Sequence, residues 1–306
     1  MAYAQANWKT EPIAADDPRP AHEAVRQLMR LAESSGSDKT RLWATVTNRG
    51  RLSAAVLVIP QPGGNGMVLA TPPAGRGAVM RLTHLLNDCC QSLDTRQIQM
   101  VQMLADPSQK RVREALVRAG FWRLARLCYL QAAIGHKPQK DLMPEGSRCL
   151  SYREDRRELF LEALSDSYQG TMDCPKLHGL RSTEQALQAH RSTGPFDPKF
   201  WNVLQIGGRT AGVILLNPIR SVHAMELVYL GLGPRYRGHG LGGRLLRYGL
   251  QQAAAAGHHT MVLAVDEANT PAVRLYKQMG FSRTDIKDAF VRHLPTSGAT
   301  RSDLST

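Results

Sequence analysis

The chain has 306 residues, of which 42% are hydrophobic and 21% are charged, a composition typical of a globular protein with room for about two domains. No apolar run reaches the roughly 18 residues that a membrane span needs, and the N-terminus lacks the apolar region of a signal peptide, so we expect a cytoplasmic protein without a membrane partner. The formal net charge of +13 is compatible with an anionic partner, but the basic residues are spread over both halves without the aromatic pattern of an RNA-recognition module. Nucleic acid is therefore not expected as the primary partner.

The cysteines and histidines do not indicate a metal site. The five cysteines form no C-x-x-C pair and show no zinc-ligand spacing, and an odd number suits reduced thiols better than a disulfide framework. His258 and His259 are adjacent, so on a strand they would point to opposite sides. We expect no metal.

The first half of the chain predicts an α/β domain at residues 21–134. Residues 1–20 contain three prolines and are typical of an extended, mobile arm, and a helical pattern then ends near Gly36. After it, segments of strand and helix periodicity alternate. They predict strands at 41–47, 52–59 and 67–71, a helix at 77–92, a strand at 97–104, a helix that ends at Gly120 and a strand at 122–134.

A second domain, at residues 148–295, follows a polar, unpatterned linker at 135–147 and repeats the plan of the first. Residues 296–306 have too little apolar content to be buried, so we expect a disordered tail. The predicted elements of the second domain are a strand at 149–153, helices around 159–164 and 184–190, strands at 203–206, 211–216 and 226–232, a helix up to Gly257, a strand at 260–265, a helix with Thr270 as N-cap and Gly280 as its stop, and a strand at 290–294.

A basic, glycine-rich turn lies between the strand that ends at Leu232 and the next helix. Its sequence is RYRGHGLGG, residues 235–243. Glycines adopt positive φ easily and have no Cβ, so successive backbone N–H groups can converge on an anion at the positive end of the helix. The turn therefore predicts a phosphate or pyrophosphate ligand.

A dinucleotide site is one interpretation of this turn. Gly238, Gly240 and Gly243 satisfy G-x-G-x-x-G, and Asp266 ends the next apolar run, roughly where a dinucleotide fold places its ribose-binding acid. However, five residues separate Leu232 from Gly238, whereas a dinucleotide turn begins almost directly after its strand. The match is weak.

Two longer motifs fit more residues. RGHGLG, residues 237–242, resembles the R/Q-x-x-G-x-G/A loop that binds the pyrophosphate of acyl-coenzyme A in the GNAT N-acetyltransferase superfamily. NTPAVRLYKQMGF, residues 269–281, is similar to the downstream helix of that family. The motifs occur in the family's order, separated by one helix and one strand. The resemblance implies a mixed α/β (α+β) protein of two tandem GNAT acyl-CoA N-acyltransferase folds, each with a mostly antiparallel sheet flanked by helices.

Comparison of the halves implies that the N-terminal one is degenerate. AGRGAV, residues 74–79, stands in the place of RGHGLG, so two glycines remain while Ala74 replaces the arginine and Val79 the last glycine. Leu116 stands where the second half has Tyr276. Because the first half lacks the complete phosphate-binding turn and the phenol, we expect the C-terminal domain to be the catalytic one.

For the acyl donor, the resemblance implies contacts with the end of the central strand and with the glycine turn. Gly231 is suited to a β-bulge that frees backbone groups there, or it is a glycine merely tolerated in a strand. Asn269 is carried over as a coenzyme contact, with a turn-forming asparagine as the alternative. The implied coenzyme-binding residues are Leu230, Gly231, Leu232, Arg237, Gly238, His239, Gly240, Leu241, Gly242 and Asn269.

For catalysis, the resemblance implies that Tyr276 protonates the leaving thiolate, because a phenol with a pKa of about 10 is protonated at neutral pH. Glu226 stands where the histone-acetyltransferase branch places its general base, although a charged residue at the start of a strand is equally a solvated one. Asp173 and Cys174 are interpreted as a loop acid and a small buried thiol, with contact to the acceptor as the alternative.

Together these features predict an acetyl-CoA-dependent N-acetyltransferase that acts on a primary amine by direct attack in a ternary complex. No Cys or Ser stands with a His in a nucleophile arrangement, so a covalent acyl-enzyme is not expected. The alternatives are a non-catalytic acyl-CoA sensor or scaffold, a role alongside a basic-protein or RNA acceptor and, with the least support, a dinucleotide enzyme. These motifs do not encode the acceptor or the oligomeric state.

Overall fold

A computed structural model describes most of the chain as two compact units. The C-terminal unit contains residues 125–286, and the N-terminal unit contains the described residues up to Leu124 and from Lys287 onwards. No helix in the described segments has the length and hydropathy of a membrane span. The described residues are Leu28, Arg30, 40–46, 52–135, 143–177 and 182–294.

Several predictions from the sequence fall outside these residues. They are the arm at 1–20, the helix before Gly36 apart from Leu28 and Arg30, most of the linker at 135–147, and the tail at 296–306.

The described helices and strands confirm the mixed α/β class and most predicted elements, with ends shifted by a few residues, except that the strand predicted at 290–294 begins at Ser282. In chain order they are β1 (Arg41–Val46), β2 (Leu52–Gln61), β3 (Asn65–Ala70), α1 (Ala78–Ser92), β4 (Met100–Ala105), α2 (Lys110–Arg118), β5 (Trp122–Ala133), β6 (Ser147–Ser151), α3 (Arg157–Tyr168), α4 (Thr183–Arg191), β7 (Trp201–Ile206), β8 (Arg209–Ile219), β9 (Ala224–Leu232), α5 (Leu241–Ala255), β10 (Thr260–Asp266), α6 (Thr270–Gln278) and β11 (Ser282–His293).

The N-terminal unit has a sheet in the order β1-β2-β3-β4-β11, in which only β3 and β4 are parallel. Helices α1 and α2 pack on each other, and their apolar sides form one core with the sheet. The end of β11 supplies Phe290 to this core and the fully buried Asp288, which pairs with Arg113 (3.4 Å) and Arg123 (3.8 Å). Two guanidinium groups thus compensate a carboxylate that burial alone would make unfavourable.

The C-terminal unit has a sheet in the order β11-β5-β10-β9-β8-β7-β6, in which β9 and β10 are parallel. One apolar core forms between the sheet and helices α5 and α6, and a second forms on α3 and includes the fully buried Trp201. Successive side chains of a strand point to opposite faces, so β9 contributes Met225 and Leu227 to the first core and Val228 to the second. Strand β9 is therefore covered on both faces.

The contacts divide the chain differently from the boundaries predicted at residues 134 and 295. Strand β5 belongs to the C-terminal unit, where it pairs with β10 from Leu127 opposite Asp266 to Ala133 opposite Thr260. The end of β11 belongs to the N-terminal unit, where it pairs with β4. Each half of the sequence thus supplies its last strand to the other unit. Periodicity cannot reveal this exchange, because it specifies a strand and not its partner.

Candidate active site

Strands β9 and β10 part in the middle of β9. They pair only between residues 224–227 and residues 260–263, whereas β9 stays paired with β8 as far as Leu232. The β8–β9 register shifts between Leu215 and Leu216, which leaves Val228 as the extra residue of a β-bulge. Backbone groups of residues 228–232 on the β10 side therefore have no strand partner among the described residues, and a ligand could pair with them.

Gly231 is not the bulge residue that the sequence suggested. It pairs in register with Val213, and the reason for glycine is close packing. A Cβ there would lie 2.7 Å from Tyr229 Oη and 2.7 Å from Ser167 Cβ, nearer than such atoms normally come. The bulge forms earlier, at Val228, because the two strands lose register there, which the pattern of apolar residues does not encode.

The glycine turn joins β9 to α5, as predicted. Gly238 (φ 82°) and Gly240 (φ 72°) both have left-handed backbone conformations, and Gly240 is the N-cap of α5 without a side-chain cap. The first bond into α5 runs from Arg244 N–H to Gly240 O (3.3 Å), so the preceding N–H groups of this helix have no carbonyl partner within it. A Cβ on either glycine would meet no atom within 4 Å. The positive end of α5 is therefore open, as anion binding requires.

The other residues predicted to bind the coenzyme surround this turn. His239 is exposed, and Leu241 is buried as the first residue of α5. A Cβ on Gly242 would lie 3.4 Å from Leu275 Cδ2, so a larger residue would push α5 away from α6. Leu230 and Leu232 are half-buried and pack on the core beneath α5.

The guanidinium group of Arg237 contacts the backbone. It donates to the carbonyl oxygens of Leu232 (3.0 Å), Gly170 (3.2 Å) and Ser167 (2.8 Å). Ser167 and Gly170 lie at the C-terminal end of α3, where helix carbonyls carry partial negative charge. Arg237 thus ties the end of α3 to the end of β9. Its direct contact with the coenzyme stays a prediction, and its observed bonds make it a positioning residue.

Replacement of Arg237 should test this role. We expect Arg237→Ala to lower the free energy of unfolding by roughly 1.5–3 kcal/mol, because hydrogen bonds from a charged group are lost and carbonyls are left unpaired. Arg235→Ala is the matched control, since Arg235 is exposed in the same turn and its loss should change stability by less than about 0.5 kcal/mol. Urea unfolding of both variants measures the difference, and equal effects would contradict the role assigned to Arg237.

Tyr276 lies on α6 with its ring buried beside Phe281, at 5.6 Å between ring centroids. Burial, followed by the negative charge of Asp173, raises the pKa of this phenol. The hydroxyl is therefore protonated throughout the neutral pH range, which suits a proton donor.

The N-cap of α6 is Asn269 and not the predicted Thr270. Asn269 Oδ1 accepts the N–H of Ala272 (3.3 Å), and the Asn269 backbone carbonyl accepts the N–H of Val273 (3.0 Å). Asparagine is the stronger N-cap residue of the two, so the helix begins one position earlier than the sequence suggested. These bonds give Asn269 a structural role, and its contact with the coenzyme stays a prediction.

Glu226 is buried in β9, opposite Asn217 of β8 and Val262 of β10. At 7% exposure it is not the solvated strand-end charge that was the alternative. Its neighbours Met225 and Leu227 point into the core beneath α5, so Glu226 faces the α3 side of the sheet. Burial raises the pKa of its carboxyl group, which brings it toward the range of a general base.

A cavity of about 340 Å³ opens beside the bulge of β9. Tyr168 Oη lies 3.0 Å from His190 Nε2, and the rings of Tyr168 and His190 pack on Tyr229 at 5.4 and 5.2 Å between centroids. The residues that line it are Ser165, Tyr168, Thr171, Asp173, Cys174, Leu177, Ser182, Thr183, Ala186, His190, Val228 and Tyr229.

Sequence analysis missed Tyr168, His190 and Tyr229. Tyr229 was placed in a buried strand, which hides its position beside the cavity, and Tyr168 and His190 meet only because α3 packs on α4. Helical periodicity assigns such residues to a core or a surface and does not show which of them meet. The nearest signal was the alternative interpretation that Asp173 and Cys174 contact the acceptor.

Asp173 and Asp266 join the segment after α3 to the end of β10. Asp173 Oδ1 accepts the N–H of Asp266 (3.1 Å), and Asp266 Oδ2 accepts the N–H of Cys174 (3.3 Å). Burial raises the pKa of Asp173, while the hydrogen bonds from Asp266 and Asn269 oppose that rise. Asp266 ends β10 as predicted, and Asp173 is part of a cavity wall rather than a solvated loop acid. Within the described segments, no group of three or more His, Cys, Asp or Glu residues could hold a metal ion.

Comparison with known proteins identifies part of the chain. Residues 160–281 match the Acetyltransferase (GNAT) family. The mycothiol acetyltransferase of Pseudarthrobacter chlorophenolicus is 34% identical over 109 residues, which are 34% of this chain and 34% of that protein. That of Thermobispora bispora is 47% identical over 153 residues, which are 47% of this chain and 49% of that protein. The chain thus spans about half or less of the length of these curated relatives.

The fold has a counterpart among solved structures. A GCN5-related N-acetyltransferase from Sphaerobacter thermophilus superposes with a TM-score of 0.60 over 93% of this chain and 97% of its own, at 17% identity. At that identity the similarity shows the fold alone. The matched segment runs from Phe160 in α3 to Phe281, the residue before β11, and so contains β9, the glycine turn, Tyr276 and the cavity. Residues 160–281 are therefore similar to the Acetyltransferase (GNAT) family over the segment that contains the candidate site.

Proposed function

We propose that this protein is an N-acetyltransferase, which moves the acetyl group of acetyl-CoA directly to a primary amine in a ternary complex. The observation that carries the proposal is the parting of β9 and β10 beside an open, glycine-rich helix N-terminus. It lies in the segment that matches the GNAT family. The relatives named mycothiol acetyltransferase support the same class of reaction.

The acyl donor would occupy β9 and the turn that follows it. The pyrophosphate would accept hydrogen bonds from the uncapped N–H groups at the start of α5, and the pantetheine arm would pair with the free edge of β9, as an added strand does. With these contacts, the thioester would lie near the bulge and next to the cavity. The residues proposed to bind the donor are Leu230, Gly231, Leu232, Gly238, His239, Gly240, Leu241 and Gly242, with Arg237 and Asn269 holding the surrounding segments.

Acetyl transfer requires stabilisation of charge on the carbonyl oxygen and two kinds of proton transfer. A free backbone N–H of β9 would bind the developing oxyanion. Tyr276 would donate a proton to the thiolate as the C–S bond breaks, since its phenol is protonated at neutral pH. Glu226 would act as a general base, because burial raises the pKa of its carboxyl group.

The acceptor would bind in the cavity of about 340 Å³, within the range of small-molecule sites. Because the relatives are named mycothiol acetyltransferase, their acceptor is the first amine to test.

The test is an acceptor screen with isotope-labelled acetyl-CoA. The protein is incubated with the acceptor of the mycothiol acetyltransferases and a panel of other primary amines, and mass spectrometry detects the labelled acetyl group on each. We expect turnover of at least one amine, with release of one free coenzyme thiol for each product formed. Acetyl-CoA binding without any product across the panel would contradict the proposal and favour a sensor. Binding of NAD in preference to acetyl-CoA would favour the dinucleotide interpretation.

A further inference from the structure

The carboxylate of Asp173 accepts a hydrogen bond from the protein and has acceptor positions left for another donor. The backbone N–H of Asp266 donates to Asp173 Oδ1 (3.1 Å). A carboxylate has about four acceptor positions, so this donor leaves part of its capacity unused. The bond holds the carboxylate at the end of β10.

The walls of the cavity fit a cation. Asp173 is one of the lining residues, and the described part of the wall contains no Lys or Arg side chain to pair with it. In a chain with a net charge of +13, an acidic side chain in a wall whose described residues include no Lys or Arg distinguishes this cavity. The rings of Tyr168 and Tyr229 lie in the same wall, and aromatic faces attract ammonium groups.

Asp173 also lies beside the residues that surround the reacting atoms. Burial is the main cause of the raised pKa of Tyr229 and of Tyr276, and the charge of Asp173 adds to the rise at both. One phenol follows the bulge of β9, and the other is the proposed proton donor. Asp173 and Tyr229 of β9 line the same cavity, and Asp173 Oδ1 accepts the N–H of Asp266 at the end of β10, so this carboxylate lies beside both strands.

On the basis of the proposed acetyltransferase function, we propose that Asp173 binds the ammonium group of the acceptor and accepts the proton that must leave before the nitrogen can attack. The ligand class is a primary ammonium carried by a small molecule that fits a cavity of about 340 Å³.

Acetyl transfer to an ammonium group involves two proton acceptors. An ammonium loses one proton to become a nucleophile and a second after its nitrogen bonds to the carbonyl carbon. The first proton goes to Asp173 and the second to Glu226, the C–S bond breaks, and the thiolate takes the proton of Tyr276. Exchange with solvent restores the three groups, so the net reaction releases one proton.

Cys174 provides a readout that does not depend on catalysis, because its thiol lies in the same wall as the neighbouring carboxylate. The full-length protein is treated with cationic 2-aminoethyl methanethiosulfonate or anionic 2-sulfonatoethyl methanethiosulfonate, and peptide mass spectrometry gives the labelling rate at Cys174. We expect Asp173→Asn to lower the cation-to-anion rate ratio roughly tenfold, since one nearby charge is removed. A change in thiolate fraction affects both reagents equally and cancels in the ratio.

Two controls make the labelling test specific. Glu226→Gln removes a different buried carboxyl group and should leave the ratio at Cys174 unchanged. Cys149 lies outside the cavity lining, so its ratio should be the same in every variant. An unchanged ratio at Cys174 in Asp173→Asn would overturn the proposal.

A second measurement uses the wild-type protein, so its result does not depend on whether the Asp173→Asn variant folds. Benzylamine, whose ammonium group should bind Asp173, should protect Cys174 from neutral iodoacetamide at a lower concentration than benzyl alcohol. Equal protection by the two compounds would overturn the assignment of a cation site.

Kinetics separate this proposal from the proposed function. With an amine that the wild type acetylates, Asp173→Asn should lower kcat/KM by roughly 10²–10⁴-fold and leave the Kd of acetyl-CoA unchanged. If the wild type acetylates no amine, the proposed function fails, while the labelling ratio still decides whether the cavity binds cations. If the wild type is active and Asp173→Asn is equally active, only the role of Asp173 fails.

Discussion

Residues 148–306, expressed without the rest of the chain, should show no cooperative unfolding transition, whereas residues 121–306 should show one. The shorter fragment lacks β5, which forms seven residue pairs with β10. Its loss exposes the backbone groups of a central strand, and such an unpaired edge promotes aggregation. Circular dichroism during heating and in urea measures the two transitions.

The loss of apolar packing explains the size of this effect. Strand β5 and the residue after it give Leu130 and Ile134 to the core beneath α5 and α6, together with Cys128 and Ala132. Full burial of a leucine or isoleucine stabilises by about 1.5–3 kcal/mol, so these two residues alone contribute about 3–6 kcal/mol. A domain has only about 5–15 kcal/mol of net stability. A cooperative transition of the 148–306 fragment close to that of the longer one would contradict the assignment of β5 to the C-terminal unit.

Tyr276→Phe should lower kcat by roughly 10²–10⁴-fold, the usual contribution of a general acid. The Kd of acetyl-CoA should stay within about threefold of the wild-type value, because Phe keeps the packing against Phe281 and loses only the hydroxyl. Steady-state kinetics and calorimetric titration of the same preparation separate the two quantities.

Tyr248→Phe is the matched control for this substitution. Tyr248 is a half-buried phenol on α5, and its hydroxyl donates to Asn202 Oδ1 (3.3 Å) rather than facing the point where β9 and β10 part. Its removal should leave kcat unchanged. Equal rates for Tyr276→Phe and the wild type would remove Tyr276 from the mechanism.

The sequence predicted the structural features that depend on residues close together in the chain. The turn around Gly238 and Gly240 has the left-handed backbone that the glycines suggested, and the helix after it begins at Leu241. Strand β9 and helix α6 lie where apolar periodicity and the stop at Gly280 placed them. These features depend on local sterics and hydrogen bonding, which a short segment encodes by itself.

What could not be predicted depends on partners that are distant in sequence. The β-bulge forms at Val228 because β8 and β9 lose register, and β5 pairs with β10 across more than a hundred residues. Tyr168 and His190 meet only after α3 packs on α4. The guanidinium of Arg237 donates to carbonyls at the end of α3, a contact that the motif does not encode. Motifs therefore located the candidate site but not its walls.

The N-terminal unit contains a natural control for the coenzyme site. Gly77 is the N-cap of α1, with φ 69° and no side-chain cap, so its backbone matches that of Gly240 before α5. However, Ala74 stands in the place of Arg237, and Leu116 is fully buried where the C-terminal unit has Tyr276. We therefore expect acetyl-CoA to bind at the turn before α5 and not at the turn before α1.

Calorimetric titration of acetyl-CoA into the wild type, Gly240→Val and Gly77→Val tests this account most directly. Valine at a left-handed position costs about 1–3 kcal/mol of backbone strain at either site, but only at Gly240 does its side chain enter the space beside the open end of α5. We expect one acetyl-CoA per chain in the wild type and in Gly77→Val. In Gly240→Val, affinity should fall by roughly 100-fold or more, about 2.7 kcal/mol. Wild-type affinity in Gly240→Val, or its loss in Gly77→Val, would contradict the central claim.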